Sequence, residues 1–317
     1  MLKWKGTPAA SEGGIIVSSL VPAPATNSED LAVRVSGQKS LRRFLASTPQ
    51  LWIGGVLILF IAAFCFLGPL FWTRNPFNAH ISIDLQPPSS AHPFGTDILG
   101  RDELARVMLG GQMLIIVSLV AAAATTIVGT VAGLVAGWWG GPLDAGLTWL
   151  GDVVFGIPQL VPLVLFMDIL SPNGYTMAIV IAGSGWPAIA RLVRAMTLSV
   201  REREYIMAAK ALGASDARVV LRHVLWNVWT TVIVSGGLQV GNALILVAVA
   251  GYLGVGLPPG LPTWGQMIAD TTLYILPGYW WLVVPAGAAF ALLQIGVNLA
   301  AEGLRQIMMR DPRMGGS

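Results

Sequence analysis

Long stretches without charge are the feature that most constrains the fold of this chain. No charged side chain occurs from Val107 to Leu143 or from Leu51 to Trp72. A helix of roughly 20 apolar residues crosses a bilayer core, so each run is long enough to span. Only 11% of the residues are charged and 55% are hydrophobic, whereas a soluble domain carries about 25% charged residues. The chain is therefore predicted to be an all-α integral membrane protein.

The same pattern predicts six transmembrane helices, at about residues 51–72, 113–138, 146–170, 176–198, 227–251 and 281–301. Pro158 and Pro162 lie in the third of these helices and predict a kinked or broken span. The polar segment 74–106 is predicted to be irregular and extracytoplasmic. The segment 254–280 is apolar but crowded with proline and glycine, which favours a re-entrant or interfacial element over a span.

The basic residues predict the orientation of the chain. Of its 19 Lys and Arg residues, 16 lie in the N-terminal tail, between Arg191 and Arg222, or in the C-terminal tail. Cytoplasmic loops carry an excess of basic residues, so both tails are predicted to be cytoplasmic in a multi-pass protein of the cell (inner) membrane. Residues 1–46 are polar and lack periodicity, which predicts a disordered tail. A five-span or seven-span chain would put one tail on the wrong side.

Glu202–Trp226, EREYIMAAKALGASDARVVLRHVLW, is amphipathic and basic and interrupts the apolar runs. It predicts two short cytoplasmic helices. Gly213 tolerates the left-handed backbone of a helix end, and Ser215 is a good N-cap for the second helix. Apolar residues recur at helical spacing in the first helix, at Tyr205, Ala208, Ala209 and Leu212, and in the second, at Val219, Val220, Val224 and Leu225. The simplest interpretation is an ordinary amphipathic loop at the membrane surface.

This stretch resembles the EAA loop of ABC-importer permeases, which reads Glu-Ala-Ala, three residues, Gly, nine residues, then Ile-x-Leu-Pro. The chain supplies Ala208, Ala209, Gly213 and Leu225 at that spacing, with Met207, His223 and Trp226 in place of Glu, Ile and Pro. Trp226 removes the proline break, so the second helix is expected to continue into the fifth span. His223 either fills the space of the isoleucine or acts as a pH-sensitive group.

Further blocks resemble the C-type permeases of dipeptide and oligopeptide importers, in the same order. They include HPFGTDILGRDELARVMLGG, AGWWGGPLD, GYLGVGLPPGLPTWGQMIAD and NLAAEGLRQIMMRDPRM. The resemblance covers about residues 40–313. It implies a first transmembrane helix and extracytoplasmic segment at 47–110, and a type I permease core at 111–302 with the EAA loop at about 200–226. A cytoplasmic tail is expected at 303–317.

The resemblance implies a permease subunit of an ATP-driven, binding-protein-dependent importer of di- or oligopeptides. A second permease of the B type, two cytoplasmic ATPases that bind ATP and Mg, and an extracytoplasmic substrate-binding protein are its implied partners. The chain has no GxxxxGK[ST] motif and is predicted not to be an enzyme or to hold a cofactor itself. The residues implied to couple it to the ATPases are Glu204, Ala208, Ala209, Lys210, Gly213, Ala214, Ser215, Arg218 and Arg222.

Polar residues within the predicted spans are candidates for lining the pathway, since polar groups at membrane depth face a bundle interior or a cavity. They are Gln159, Gln239, Asn242 and Gln294. The alternative is hydrogen bonding between helices. No ionisable residue is expected near the middle of the membrane, which argues against ion-coupled transport.

Several alternatives remain open from the sequence. A related permease can carry nickel chelates or another small solute in the same role. A membrane enzyme is disfavoured because no catalytic constellation is visible, and the dispersed His80, His92 and His223 predict no metal site. A scaffold or sensor without transport is the remaining alternative. No nucleic-acid partner is expected.

Overall fold

The computed structural model describes residues 48–170, 173–258 and 260–310. Within them, besides three short 3₁₀ helices, nine helices form, which are numbered α1 to α9 in chain order. They are α1 (Pro49–Phe71), α2 (Glu103–Trp139), α3 (Gly141–Phe155), α4 (Leu160–Ile169), α5 (Gly174–Arg201), α6 (Glu204–Ala211), α7 (Asp216–Tyr252), α8 (Trp264–Thr271) and α9 (Val284–Arg310). The predicted N-terminal tail, residues 1–46, and the end of the predicted C-terminal tail, residues 311–317, lie outside the described residues.

Five of these helices, α1, α2, α5, α7 and α9, are long and apolar enough to cross a membrane. The pair α3 and α4 passes the same test only when taken together, and its two halves meet at a bend of 86°. The number of crossings therefore depends on whether this bent pair takes the chain across the membrane.

The packing of α2 against α5 answers that question. A Cβ added at Gly174 would lie 2.8 Å from Val117, and one added at Gly137 would lie 2.7 Å from Thr197. Contacts therefore advance in the same direction along both helices, so α2 and α5 are parallel. Along α2, Val117 and Trp139 are about 33 Å apart at 1.5 Å per residue. Since α5 starts beside Val117, the α3–α4 pair must bring the chain back across that distance, giving six crossings.

Glycines make the close approach of α2 to α5 possible. Gly129, Gly133 and Gly137 follow one another at four-residue intervals and form one stripe along α2. Added Cβ atoms there would lie 2.6–2.8 Å from atoms of α5. Small residues at this spacing let two membrane helices pack backbone to backbone.

The broken third span confirms the prediction made from its prolines. Gly156–Gln159 separates the halves, and Pro158 lies in this break. Pro162 lies in the first turn of α4, where a missing N–H is tolerated.

Two helices extend beyond the predicted spans. α2 begins at Glu103 rather than near residue 113, because Asp102 caps it by accepting from the Ala105 N–H at 2.9 Å. Its first turns include charged Glu103 and Arg106, which hydropathy excludes from a span, yet both side chains are buried, and Arg106 contacts Asp97 of the preceding segment. At the other end of the chain, α9 continues to Arg310, so residues 303–310 of the predicted C-terminal tail are helical.

The segment 254–280 is not a span. Its helix, α8, has eight residues and is about 12 Å long, far shorter than a bilayer core. Trp264 at the start of α8 is fully buried and donates its indole N–H to the Val107 carbonyl at 2.8 Å. The prediction that this segment does not form a span is confirmed.

Candidate coupling site and pathway

The segment that follows α5, here called the coupling element, comprises residues 202–219 and includes the first turn of α7. α6 ends at Ala211, and Gly213 adopts a φ of +87°, which reverses the chain direction. Ser215 then accepts a hydrogen bond from the Arg218 N–H at 3.4 Å and caps the next helix. The predicted break and the predicted cap are both confirmed.

The coupling element is attached to the end of α2. Lys210 forms an ion pair with Asp216 at 2.9 Å, and its ammonium lies 4.9 Å from the centre of the Trp138 ring. Arg201 donates to the Trp138 carbonyl at 2.9 Å. The end of α2 is thereby joined to the end of α5 and to the middle of the coupling element.

One face of the coupling element is buried in an apolar cluster. Ile206 is only 1% exposed, and it shares this cluster with Val219, Val220 and Val224. The predicted apolar side of the second helix is thus confirmed. The apolar residues predicted at helical spacing in the first short helix do not form its buried face. Tyr205, Ala208 and Leu212 are exposed.

The exposed face of the element combines apolar and polar groups. Leu212 is 89% exposed and Met207 is 56% exposed. All nine predicted coupling residues lie in the element or directly after it. Ala209 and Ala214 are half-buried, and the exposed ones are Glu204, Ala208, Lys210, Gly213, Ser215, Arg218 and Arg222.

The second of the two predicted short helices is not a separate helix. Asp216–Val219 is the first turn of α7, which runs without interruption to Tyr252. Residue 226 is a tryptophan rather than a proline, so every residue there can supply its N–H to the helix. A short π-helical segment, Val220–Val224, joins the coupling element to the rest of α7.

Three of the four predicted pathway residues come together where α4, α5 and α7 meet. Asn242 donates to the Gln159 side-chain oxygen at 3.2 Å. The side-chain nitrogens of Gln239 and Gln159 lie 2.9 and 3.2 Å from the position that a Cβ at Gly185 would occupy. We call Gln159, Gln239 and Asn242 the amide cluster. It carries both donors and acceptors but no charge.

Gln294, the fourth predicted pathway residue, belongs to α9 and lies against a different face of α7. Its nitrogen is 3.2 Å from the Cβ position of Gly241, where the Asn298 side-chain oxygen is also 3.0 Å away. Gly241 is two residues from Gln239 and therefore faces about 200° around the helix. The structure does not join Gln294 to the amide cluster.

Comparison with known proteins identifies the family. Residues 129–313 match the family described as the binding-protein-dependent transport system inner membrane component. The chain belongs to this family. The membership confirms the resemblance predicted from the EAA loop and the ordered blocks.

Individual relatives of the permease cover almost its whole length. The Probable D,D-dipeptide transport system permease protein DdpC of Escherichia coli is 34% identical over 283 residues, 89% of this chain and 94% of the relative. The dipeptide transport system permease protein DppC of Alkalihalophilus pseudofirmus is 32% identical over 286 residues, 90% of this chain and 93% of the relative.

A solved structure of the inward-facing MetNI methionine ABC transporter shares the fold of the permease. The TM-score is 0.50 with 17% sequence identity, over 62% of this chain and 94% of that chain. At this identity the likeness concerns the fold alone, and it confirms the predicted type I ABC importer permease fold.

Two ion pairs of the permease were not predicted. Arg194 holds Asp144 through two hydrogen bonds of 2.5 and 2.6 Å, and Arg191 contacts Asp152 at 2.7 Å. Both pairs join α3 to α5. The sequence shows only two aspartates on α3 and two arginines on α5, at unequal spacings, and the antiparallel packing of these helices shows which residues pair.

The permease shows no candidate metal centre in the part of the chain that the structure describes. No three His, Cys, Asp or Glu side chains there are close enough to hold a metal ion together.

Proposed function

We propose that the permease is one of two membrane subunits of an ATP-driven importer of di- and oligopeptides, and that it forms half of the translocation pathway. The observation that carries this proposal is the agreement of cargo among the relatives. Two peptide permeases, one of them for D,D-dipeptides, match about nine-tenths of the chain at 32–34% identity.

The coupling element is the proposed contact with the cytoplasmic ATPase subunits, which bind ATP and Mg. Its exposed Leu212 and Met207 suit an apolar cleft on a partner. Lys210, Arg218 and Arg222 are exposed basic residues of the same stretch and suit an acidic rim. The buried face anchors the element to α2 and α5, so that a force applied to it reaches the membrane helices. A second permease of the B type and an extracytoplasmic substrate-binding protein complete the proposed complex.

Both termini are proposed to be cytoplasmic, in the cell (inner) membrane. Six crossings put the start of α1 and the end of α9 on the same side. The positive-inside rule places that side in the cytoplasm, since 16 of the 19 basic residues lie on it or in the region of the coupling element. In this orientation residues 111–302 are the permease core, and residues 73–102 face outward.

The amide cluster and Gln294 are proposed to contribute to the pathway. Amide side chains can both donate to and accept from a peptide backbone and do not select the charge of the side chains. We therefore expect the permease to accept varied peptides, with selection left to the binding protein. Strong discrimination between peptides by the permease and its ATPases alone would contradict this expectation.

Co-purification tests the proposal. The permease is extracted from its native membrane with its companions, and mass spectrometry identifies the subunits and any small molecule retained. Two ATPases, a second permease and bound peptides are expected. A retained nickel chelate would contradict the peptide cargo but leave the role as an importer permease unchanged. The absence of any ATPase would contradict that role.

A further inference from the structure

We propose that Asn227 is a positioning residue, which ties α6 to α7 beyond the π-helical segment and so passes displacement of the coupling element to the amide cluster. This proposal rests on the proposed coupling function. It assigns a role to a side chain outside the nine coupling residues implied by the family resemblance.

The backbone of α7 is irregular between the coupling element and the span. From Val220 to Val224 the helix is π-helical, and the Leu225 N–H donates to the Val220 carbonyl. This bond spans one residue more than an α-helical bond does. Such wide turns occur mostly as single insertions in α-helices, often at functional sites. The segment is therefore the place where α7 most easily bends.

Asn227 lies directly beyond this segment and makes two contacts with its side-chain nitrogen. It donates to the His223 carbonyl at 2.7 Å and to the Tyr205 hydroxyl at 3.0 Å. A backbone carbonyl only accepts, so the nitrogen and not the oxygen of the Asn227 amide must face it. One side chain thus holds the end of the π-helical segment and reaches α6.

Tyr205 reinforces the same contact. It lies in the first turn of α6, and its ring packs edge-on against His223, with centroids 6.4 Å apart. Its hydroxyl is the atom that binds Asn227. A single residue of α6 therefore touches α7 at both His223 and Asn227.

α6 and α7 are consequently joined on both sides of the π-helical segment. The Lys210–Asp216 ion pair joins them before it, but both side chains are nearly half exposed, and exposed ion pairs are weak. A displacement transmitted only there would be absorbed by bending of the π-helical segment. The Tyr205–Asn227 contact bypasses that segment.

Beyond Leu225 the helix is α-helical and continuous. Gln239 and Asn242 lie about 18 and 22 Å further along α7 than Asn227. A tilt of α7 imposed at Asn227 would therefore move the α7 members of the amide cluster relative to Gln159 on the break before α4.

Spin labels in the intact co-purified complex test this role without knowledge of the cargo. The buried Cys65, the one cysteine of the chain, is first replaced by Ser. One label pair, the inner pair, joins Leu212→Cys to Ile53→Cys on α1. The other, the outer pair, joins Leu253→Cys at the far end of α7 to Phe71→Cys. Electron–electron distances are measured with and without ATP and vanadate, which trap the ATPases.

In the parent protein both pairs are expected to change distance on trapping. With Tyr205→Phe or Asn227→Leu, the inner pair should still respond, while the shifted population of the outer pair falls about fivefold, the factor supplied by one hydrogen bond. The double variant should lose no more than Asn227→Leu alone, because Tyr205→Phe removes only the Tyr205–Asn227 contact, which Asn227→Leu already removes. Tyr252→Phe, at the other end of α7, is the matched control and should behave like the parent.

The two possible failures are distinguishable. An undiminished response of the outer pair in Asn227→Leu, with the inner pair responding normally, would overturn the role of Asn227 and leave the proposed function intact. An inner pair of the parent that does not respond to trapping would instead overturn the coupling function itself, and the role of Asn227 with it.

Discussion

Replacing Gly133 with alanine tests the packing that determines the number of membrane crossings. The added Cβ would lie 2.6 Å from the Ala190 carbonyl oxygen, 2.7 Å from the Val193 Cβ and 3.0 Å from the Arg194 nitrogen. Favourable carbon contacts occur at about 3.5–4.0 Å. α5 must therefore move away from α2 by about 1 Å.

The cost follows from that displacement. A gap of roughly 0.5–1 Å removes a quarter to a half of the dispersion attraction of each affected contact. Overpacking of this kind typically costs about 1–3 kcal/mol of folding free energy. A loss of about 2 kcal/mol lowers the Tm of a protein of roughly 150–250 residues by about 4–8 °C, and this chain of 317 residues is expected at or below the lower end of that range.

A thiol-reactive dye that fluoresces on labelling provides the assay. Cys65, the single cysteine of the chain, is 0% exposed and reacts only when the packing around it opens. Gly183→Ala is the matched control, because Gly183 lies on α5 with no atom within 4 Å of the added Cβ. A Gly133→Ala protein as stable as Gly183→Ala would refute the close parallel packing of α2 and α5, and with it the argument for six crossings.

Three further predictions concern the ion pairs, the topology and the coupling element. Asp144→Asn should lower the thermal stability of the permease and Arg194→Gln should do the same, because each leaves half of a two-bond ion pair, and the double variant should lose less than the sum of the two. In a cysteine-free background, an impermeant maleimide should label Leu212→Cys only from the cytoplasmic side and Leu276→Cys, which is 95% exposed in the native protein, only from outside. Gly213→Val should reduce ATP-driven uptake roughly tenfold, since a β-branched residue at a φ of +87° is strained by about 1–2 kcal/mol.

Each of these predictions has an outcome that contradicts it. Additive losses in the Asp144 and Arg194 double variant would mean that the two side chains do not act as a pair. Labelling of both engineered cysteines from one side would contradict the proposed topology. Gly260→Val introduces the same strain in a loop remote from the coupling element, so an equal loss of uptake there would remove the specific role of Gly213.

Hydropathy alone located the membrane helices, because an apolar run of about 20 residues has few alternatives to a span. It failed at the start of α2, where Glu103 and Arg106 are charged yet helical and buried. Their burial depends on the preceding segment, residues 74–102, folding over them, which no local pattern describes. The continuous α7 was predictable from Trp226, since only the absence of proline was needed.

Contacts between residues that are far apart in the sequence were harder to predict. Gln159 and Asn242 are 83 residues apart and meet only because the third span is broken at Pro158. Helical spacing in α6 identified a row of apolar residues, but that row is not the buried one. The side of α6 that packs against α2 and α5 is the side that carries Ile206. Periodicity gives the faces of a helix, whereas the choice between them depends on the neighbouring helices.

ATP-driven peptide uptake is the most direct test of the central claim. The co-purified complex is reconstituted into vesicles with its binding protein and a mixture of di- to pentapeptides, and the contents of the vesicles are analysed by mass spectrometry. Peptides are predicted to accumulate with ATP but not with a non-hydrolysable analogue, and Gly213→Val should abolish most of the accumulation. Equal peptide content with and without hydrolysis would contradict the assignment as an ATP-driven peptide permease.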